Sequence, residues 1–186
     1  MSKPYIIILA GIPASGKTTY GRHLVEKMSL PFISKDAIKE KLHDVLKFDN
    51  AEGNNTQLYG RASYSVFYHI ADCLMKAGTS FILESNFTAP TSTNILQQMI
   101  DERGYRAITV LFDADLAILQ KRYEDREFTD ERHPGLRLSK ERMNLHYTID
   151  VEAYRNFCVG EKIVVDTTDL EKINYDEVDK KLEGYI

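Results

Sequence analysis

The sequence contains little cysteine, little excess charge of either sign and no long hydrophobic run. Its two cysteines, Cys73 and Cys158, are far apart and lack metal-ligand spacing, so both are predicted to be small buried residues in a reducing compartment. A formal net charge of −4 gives no general attraction to nucleic acid or to an anionic membrane. No apolar stretch approaches the roughly 18 residues of a membrane span. We therefore expect neither a membrane-spanning protein nor one that binds long nucleic acids.

The chain also lacks internal repeats, low-complexity tracts and linkers, and its 186 residues predict a single domain over 1–186. Short apolar runs alternate with helical patterns. The predicted strands are 5–10, 31–34, 80–84, 107–112 and 162–166, and the predicted helices are 17–28, 36–47, 56–77, 91–103, 115–126, 139–157 and 174–183. Apolar strands separated by helices indicate a parallel sheet buried on both faces. The predicted fold is therefore α/β, a three-layer sandwich around a five-stranded parallel sheet.

The most specific motif is Gly11–Thr18, which matches G-x-x-x-x-G-K-[ST] at all four fixed positions between a strand and a helix. Its glycines let backbone N–H groups turn inward around an anion, and the N-terminus of the next helix adds partial positive charge. Lys17 is predicted to reach the β- and γ-phosphates, and the Thr18 hydroxyl to ligate Mg²⁺. The predicted nucleotide-binding residues of this loop are Gly11, Ile12, Pro13, Ala14, Ser15, Gly16, Lys17, Thr18 and Thr19.

The alternative interpretation of this motif is a chance match on a glycine-rich turn. It is disfavoured because the strand, the spacing, the lysine and the threonine all agree. A cleaved secretory signal would remove the loop, so we expect a cytoplasmic protein.

A carboxylate ends another predicted strand, at Glu84, where a nucleotide site needs an acidic group to organise Mg²⁺. Glu84 is predicted to ligate the metal directly or through water, or to contact the acceptor. Asn86 follows closely and is predicted to bind the acceptor or a water molecule near the metal. The alternative is a strand that simply ends in turn residues.

Asp36 follows the second predicted strand and opens a helix. One interpretation is that Ser34 or Asp36 caps this helix. The other is that the Asp36 carboxylate accepts the proton of an attacking hydroxyl in phosphoryl transfer, or joins the Mg²⁺ shell. Both roles are compatible, because a cap fixes the position of the main chain.

Arg122 and Arg126 lie four residues apart and therefore share one face of a predicted helix that Asp115 caps. Guanidinium groups stabilise the charge that develops on the equatorial oxygens during phosphoryl transfer. The alternative is that Glu124, Asp125 and Glu127 pair with these arginines on a solvated face.

The charged segment 127–138, broken by Pro134 and Gly135, is predicted to be a closing lid, with a plain surface loop as the alternative. Arg132 and His133 within it are candidates for binding the acceptor. Arg61 begins a tyrosine-rich helix that lines either the acceptor pocket or the core.

Taken together, these motifs resemble the small P-loop kinases grouped around the polynucleotide 5′-kinase domain, chloramphenicol phosphotransferase and zeta toxin. The resemblance spans nearly the whole chain and is carried by 11–19, 34–39, 84–86, 111–114, 132–135 and 165–168, with Arg122 and Arg126. It implies a P-loop kinase sheet with a helical lid at about 122–140 that carries Arg126 and Arg132. It also implies Asp36 as general base and an adenine-contacting loop near Thr167 and Thr168.

The expected activity is transfer of the γ-phosphoryl group of ATP, with Mg²⁺, to a hydroxyl of a small-molecule acceptor of nucleoside, sugar or antibiotic type. Lys17, Asp36, Arg122 and Arg126 are the predicted catalytic residues. The alternatives are a nucleotide-dependent regulatory ATPase and a 5′-kinase that acts on short nucleic acid. A GTPase is disfavoured, because the sequence has no N/T-K-x-D motif.

Overall fold

The computed structural model describes residues 3–47, 55–127, 129–130, 132–137 and 150–186. The strands are β1 (Tyr5–Gly11), β2 (Phe32–Ser34), β3 (Phe81–Glu84), β4 (Arg106–Asp113) and β5 (Glu161–Asp166). The α-helices are α1 (Lys17–Met28), α2 (Lys35–Leu46), α3 (Asn55–Lys76), α4 (Thr91–Arg103), α5 (Leu116–Glu127), α6 (Val151–Arg155) and α7 (Tyr175–Glu183). Short 3₁₀ helices cover Pro134–Leu136 and Leu170–Lys172.

All five strands are parallel and lie in the order β2-β3-β1-β4-β5. This confirms the predicted α/β sandwich and brings the carboxyl ends of the strands to one edge. β3 lies between β1 and β2, with Glu84 in register with both Leu9 and Ser34. The strand that ends in Glu84, and not the one before Asp36, is therefore the direct neighbour of the phosphate loop's strand.

Helices cover both faces of the sheet, because the strands carry apolar side chains on both faces. Ile7 and Leu9 of β1 pack with Tyr20 and Leu24 of α1 and with residues of α7. Ile6 and Ile8, one residue out of phase, pack on the opposite face with α3 and α4. The central strand is consequently buried on both sides, which fixes the rim of the sheet that carries the loops.

Most predicted element boundaries lie within one or two residues of the observed ones. The exception is the helix predicted over 139–157, of which 139–149 lies outside the described residues and Val151–Arg155 is helical. Asp115 caps α5 as predicted, accepting from the Ala117 N–H at 2.8 Å.

The predicted burial of the two cysteines is wrong. Cys73 is exposed on the outer side of α3, and Cys158 is half-buried. In the described residues, no helix is both long and apolar enough to span a membrane.

Candidate active site

The loop between β1 and α1 has the backbone conformation that a phosphate-binding loop requires. Gly11, Ala14 and Gly16 have φ angles of 140°, 68° and 90°. A Cβ atom at Gly11 would lie 2.2 Å from the carbonyl oxygen of Phe112 on β4, so this position requires glycine. α1 has no acidic residue in its first turn, so the partial positive charge of its N-terminus is not neutralised there.

Lys17 lies inside this loop and is only 6% exposed. Its Nζ donates hydrogen bonds to the carbonyl oxygens of Gly11 at 3.0 Å and Ile12 at 2.9 Å, and to Ser15 Oγ at 3.4 Å. Burial lowers the pKa of Lys17 to about 8, against the opposing charges of Glu84 and Asp36. The lysine is thus held inside the loop, where the charges of both acidic side chains act on it.

Glu84, at the carboxyl end of β3, is 4% exposed. Burial raises the pKa of Glu84, while the charge of Lys17 and the nearby Ser34 hydroxyl oppose the shift. In the described part of the chain, the buried Oε2 of Glu84 has no hydrogen-bond partner. An unpartnered buried carboxylate oxygen fits a hard cation, since Mg²⁺ takes oxygen ligands. Thr18, exposed in the first turn of α1, supplies a hydroxyl, so these residues fit Mg²⁺.

Asp36 lies in the first turn of α2, and neither its side chain nor that of Ser34 caps the helix. The Asp36 Oδ1 forms an ion pair with Lys35 Nζ. Burial by itself raises the pKa of Asp36, but the Lys35 charge, with smaller contributions from Arg132 and Lys17, leaves the pKa below its usual value. The capping interpretation is therefore wrong for the side chains, and the carboxylate remains available to the cleft.

These groups share one cleft of about 380 Å³. Its lining includes Asn86, a predicted acceptor contact, and five side chains that were not predicted from the sequence: Lys35, Lys39, Tyr123, Leu136 and Leu170. The two lysines lie four residues apart on α2, and this spacing beside Asp36 is the signal that could have found them. The complete lining is Pro13, Ala14, Ser15, Gly16, Lys17, Thr18, Thr19, Lys35, Asp36, Lys39, Glu84, Asn86, Arg122, Tyr123, Arg126, Arg132, Leu136 and Leu170.

Arg122 lines the cleft but binds the backbone of the loop after β5. It donates to the carbonyl oxygens of Thr167 at 2.7 Å and Thr168 at 2.9 Å. The Thr167 side chain is buried, and its Oγ1 donates to the Asp113 carbonyl oxygen at 3.0 Å. Neither threonine lines the cleft, and Arg122 holds the predicted adenine-contacting loop through the backbone carbonyl oxygens of these two residues.

Arg126 and Arg132 flank the Tyr123 ring, with their guanidinium carbons 5.7 Å and 5.9 Å from its centroid. Arg132 Nε donates to Glu127 Oε2 at 3.0 Å in a buried ion pair. Of the acidic residues of α5, Glu127 pairs with Arg132, and its charge also acts on Arg126. Arg126 itself lines the cleft, where the Asp36 charge also acts on it.

Two of the residues predicted to bind the acceptor, Arg61 and His133, do not line the cleft. Arg61 is exposed on α3 and is absent from the described lining. His133 faces α2, where its ring nitrogen Nε2 lies 3.0 Å from Asp44 Oδ1 and its Nδ1 accepts from the Gly135 N–H at 3.1 Å. The segment that includes His133 thus rests on α2, while its neighbour Arg132 reaches the cleft.

Residues 6–145 match a family described as AAA domain. The match covers more than half of the chain, which therefore belongs to this family. A shikimate kinase from Paracidovorax citrulli (strain AAC00-1) is 51% identical over 35 residues, which are 19% of this chain and 19% of that protein. The match thus spans about a fifth of the curated relative's length.

Solved structures show the same fold over the whole chain. A protein from Chloroflexus aurantiacus J-10-fl, described as a candidate kinase, is 28% identical with a TM-score of 0.84, and all of both chains is covered. A sugar kinase from Janibacter sp. HTCC2649 is 14% identical with a TM-score of 0.63, covering 98% of this chain and 94% of that one, and shows the fold alone.

These comparisons confirm the predicted P-loop kinase fold and support a phosphotransferase. The family implies ATP as the nucleotide and usually Mg²⁺ as the metal. The narrower resemblance to the polynucleotide 5′-kinase, chloramphenicol phosphotransferase and zeta-toxin group stays a prediction.

Proposed function

We propose that the protein is an ATP-dependent kinase that transfers the γ-phosphoryl group to a hydroxyl of a small-molecule acceptor. The observation that carries the proposal is the position of Asp36, which lines the same cleft as the phosphate loop. Its charge acts on the buried ammonium of Lys17, and both side chains line that cleft.

In this proposal, the loop amides and Lys17 bind the β- and γ-phosphates, and Thr18 and Glu84 hold Mg²⁺. The metal, when bound, neutralises charge on the phosphate oxygens. Asp36 takes the proton of the acceptor hydroxyl, whose oxygen bonds to the γ-phosphorus while the bond to the ADP oxygen breaks. The lowered pKa of Asp36 keeps its carboxylate ionised and able to accept that proton.

The arginines take different roles in this proposal. Arg126 presents its charge to the cleft and stabilises the transferring group. Arg122 shapes the loop at 167–168, where the backbone would contact the nucleotide base. Arg132, fixed by its buried pair with Glu127, contributes positive charge on the acceptor side.

The acceptor would lie between Asp36 and Asn86, beside Glu84 and Arg132. A cleft of about 380 Å³ that must also hold the nucleotide phosphates leaves room for a small molecule. A nucleoside, a sugar or an antibiotic is therefore the proposed class of acceptor. The narrower kinase group resembled by the motifs is part of the same proposal.

The test is a screen of ADP release with ATP and Mg²⁺ across nucleosides, sugars, antibiotics and short oligonucleotides. We expect release above background with one class of small acceptor. Asp36→Asn should retain ATP binding and lose about 10²- to 10⁴-fold in transfer rate. Asp125→Asn, an exposed carboxylate on α5, is the matched control and should change neither.

Other outcomes would refute this function. ADP release that is indifferent to every acceptor and to Asp36→Asn would favour a regulatory ATPase. Release only with oligonucleotides would favour a 5′-kinase acting on short nucleic acid.

A further inference from the structure

We propose that Lys35 is a positioning residue for Asp36: its ammonium engages Oδ1 and leaves Oδ2 for the acceptor hydroxyl. The inference rests on the proposed function, because it assigns a partner to the proposed base. Neither the phosphate-loop motif nor the proposed metal site assigns a role to Lys35.

Helix geometry does not by itself bring the side chains of Lys35 and Asp36 into contact. Adjacent residues on a helix point in different directions and do not face each other. A cation at the N-terminus of a helix is also disfavoured by the helix dipole, which favours a carboxylate there. Lys35 is the first residue of α2, so its charge opposes the dipole unless a partner compensates. The ion pair with Asp36 supplies that partner.

The surroundings hold Lys35 in this position. Its side chain is only 13% exposed, and its Nζ lies 5.5 Å from the centroid of the Tyr64 ring on α3. The face of an aromatic ring attracts an ammonium group. The Tyr64 hydroxyl lies 3.0 Å from Ser85 Oγ, directly after Glu84, so the ring is tied to the end of β3. The ammonium is thus held between a fixed aromatic face and the carboxylate.

Several charged groups face Asp36 from the elements around it. They are Lys35 and Lys39 on α2, Lys17 on the phosphate loop, Glu84 on β3, Arg126 on α5 and Arg132 after α5. Among these cations, Lys35 is the one with a direct ion pair to Asp36 in the described chain. Lys17 is bonded to loop carbonyls and Arg132 to Glu127, so neither holds the carboxylate.

This arrangement has a chemical consequence. Burial raises the pKa of Asp36, and Lys35 is the largest of the charges that reverse the shift. Without that ammonium the carboxylate would be protonated over a wider range of acidic pH, and its orientation would be less fixed. Both effects reduce its ability to take a proton from an acceptor.

The kinetic test uses Lys35→Met, which keeps the apolar stem and removes the charge. We expect kcat to fall roughly 10- to 100-fold, as for a misplaced catalytic group, with the Kd for ATP within about twofold of wild type. The acidic limb of the kcat/KM profile should move to higher pH, because a base must be ionised to act. Lys35→Arg should restore the position of that limb. Lys41→Met, at an exposed pair on the same helix, is the control and should leave the profile unchanged.

A second measurement does not need activity. The ¹³Cγ resonance of Asp36, followed against pH in the protein without nucleotide, reports the pKa of that carboxyl. A titration that moves to higher pH in Lys35→Met and returns in Lys35→Arg supports the inference. An unchanged titration in Lys35→Met overturns it, whatever the activity. If the titration moves but the wild-type chain transfers no phosphoryl group to any acceptor, the proposed function is what fails.

Discussion

Replacing Lys17 with methionine should stabilise the nucleotide-free protein and abolish its response to ATP. Loop carbonyl oxygens accept hydrogen bonds from the buried ammonium, but its desolvation disfavours the charged form. Its pKa is lowered from 10.5 to about 8, a difference of about 3 kcal/mol between its charged and neutral forms. Methionine fills a similar volume without charge, so Lys17→Met should raise the free energy of unfolding at pH 7 by about 1–3 kcal/mol.

The sign of the pH dependence follows from the direction of this shift. The folded-state pKa of Lys17 lies below the unfolded value, so between about pH 8 and 10.5 the unfolded wild type binds more protons than the folded form. Wild-type stability therefore rises relative to Lys17→Met through this window. The advantage of the variant should shrink steadily above pH 8.

Urea unfolding of both proteins at pH 7 and pH 9.5 measures this difference. The same proteins at pH 7 with MgATP test the site, since a ligand at about 100 times its Kd stabilises a protein by about 2.7 kcal/mol. Wild type should gain stability from MgATP and Lys17→Met should not. The control Lys41→Met should unfold within about 0.5 kcal/mol of wild type at either pH. A variant that is less stable than wild type at pH 7, or that responds equally to MgATP, would refute the reasoning.

Four further variants test separate parts of the site and the fold. Arg122→Ala should weaken ATP binding several-fold with little change in kcat. Arg126→Ala should instead lower kcat by about 10²-fold, with a smaller change in the Kd for ATP. If both variants changed kcat and Kd in the same way, the different roles assigned to the two arginines would be contradicted. Glu84→Gln should raise the Mg²⁺ concentration needed for ATP binding by about 10-fold in a calorimetric titration, and an unchanged requirement would place the metal elsewhere. Asp179→Ala removes a buried carboxylate that accepts from the Tyr20 hydroxyl at 2.7 Å, so urea unfolding should show a loss of about 2–3 kcal/mol at pH 7, with no loss contradicting the assignment. Hydrogen bonds hold the pKa of Asp179 below its usual value despite burial, so this loss should diminish as pH falls through that folded-state pKa.

Local signals in the sequence were sufficient for the fold and for the phosphate loop. The loop is a continuous segment whose conformation depends on Gly11, Gly16 and the strand and helix beside it. Apolar runs and helical periodicity depend on neighbouring residues in the same way. The position of Glu84 was also predictable, because parallel strands end at one edge and a carboxylate there can reach a cation.

The partners of the charged side chains were not predictable. The position of Asp36 at the start of a helix favours a capping role, but its side chain pairs with Lys35 and does not cap the helix. Arg122 lines the cleft, but no pattern in the sequence indicates that it binds the carbonyl oxygens of Thr167 and Thr168. These choices depend on which long side chain reaches which acceptor across the cleft, and no periodicity in the chain encodes that.

Residues that are close along the chain specify the parallel α/β sheet, the phosphate-binding loop and an acidic group at the end of a strand, so all three could be predicted from the sequence. The strand order, in which β3 separates β1 from β2, becomes visible only in the folded chain. The tertiary structure also decided that Lys35 engages Asp36 and that Arg61 and His133 lie away from the cleft. These features depend on strand order and on side chains from separate elements competing for the same partners, which the packing of the whole chain settles.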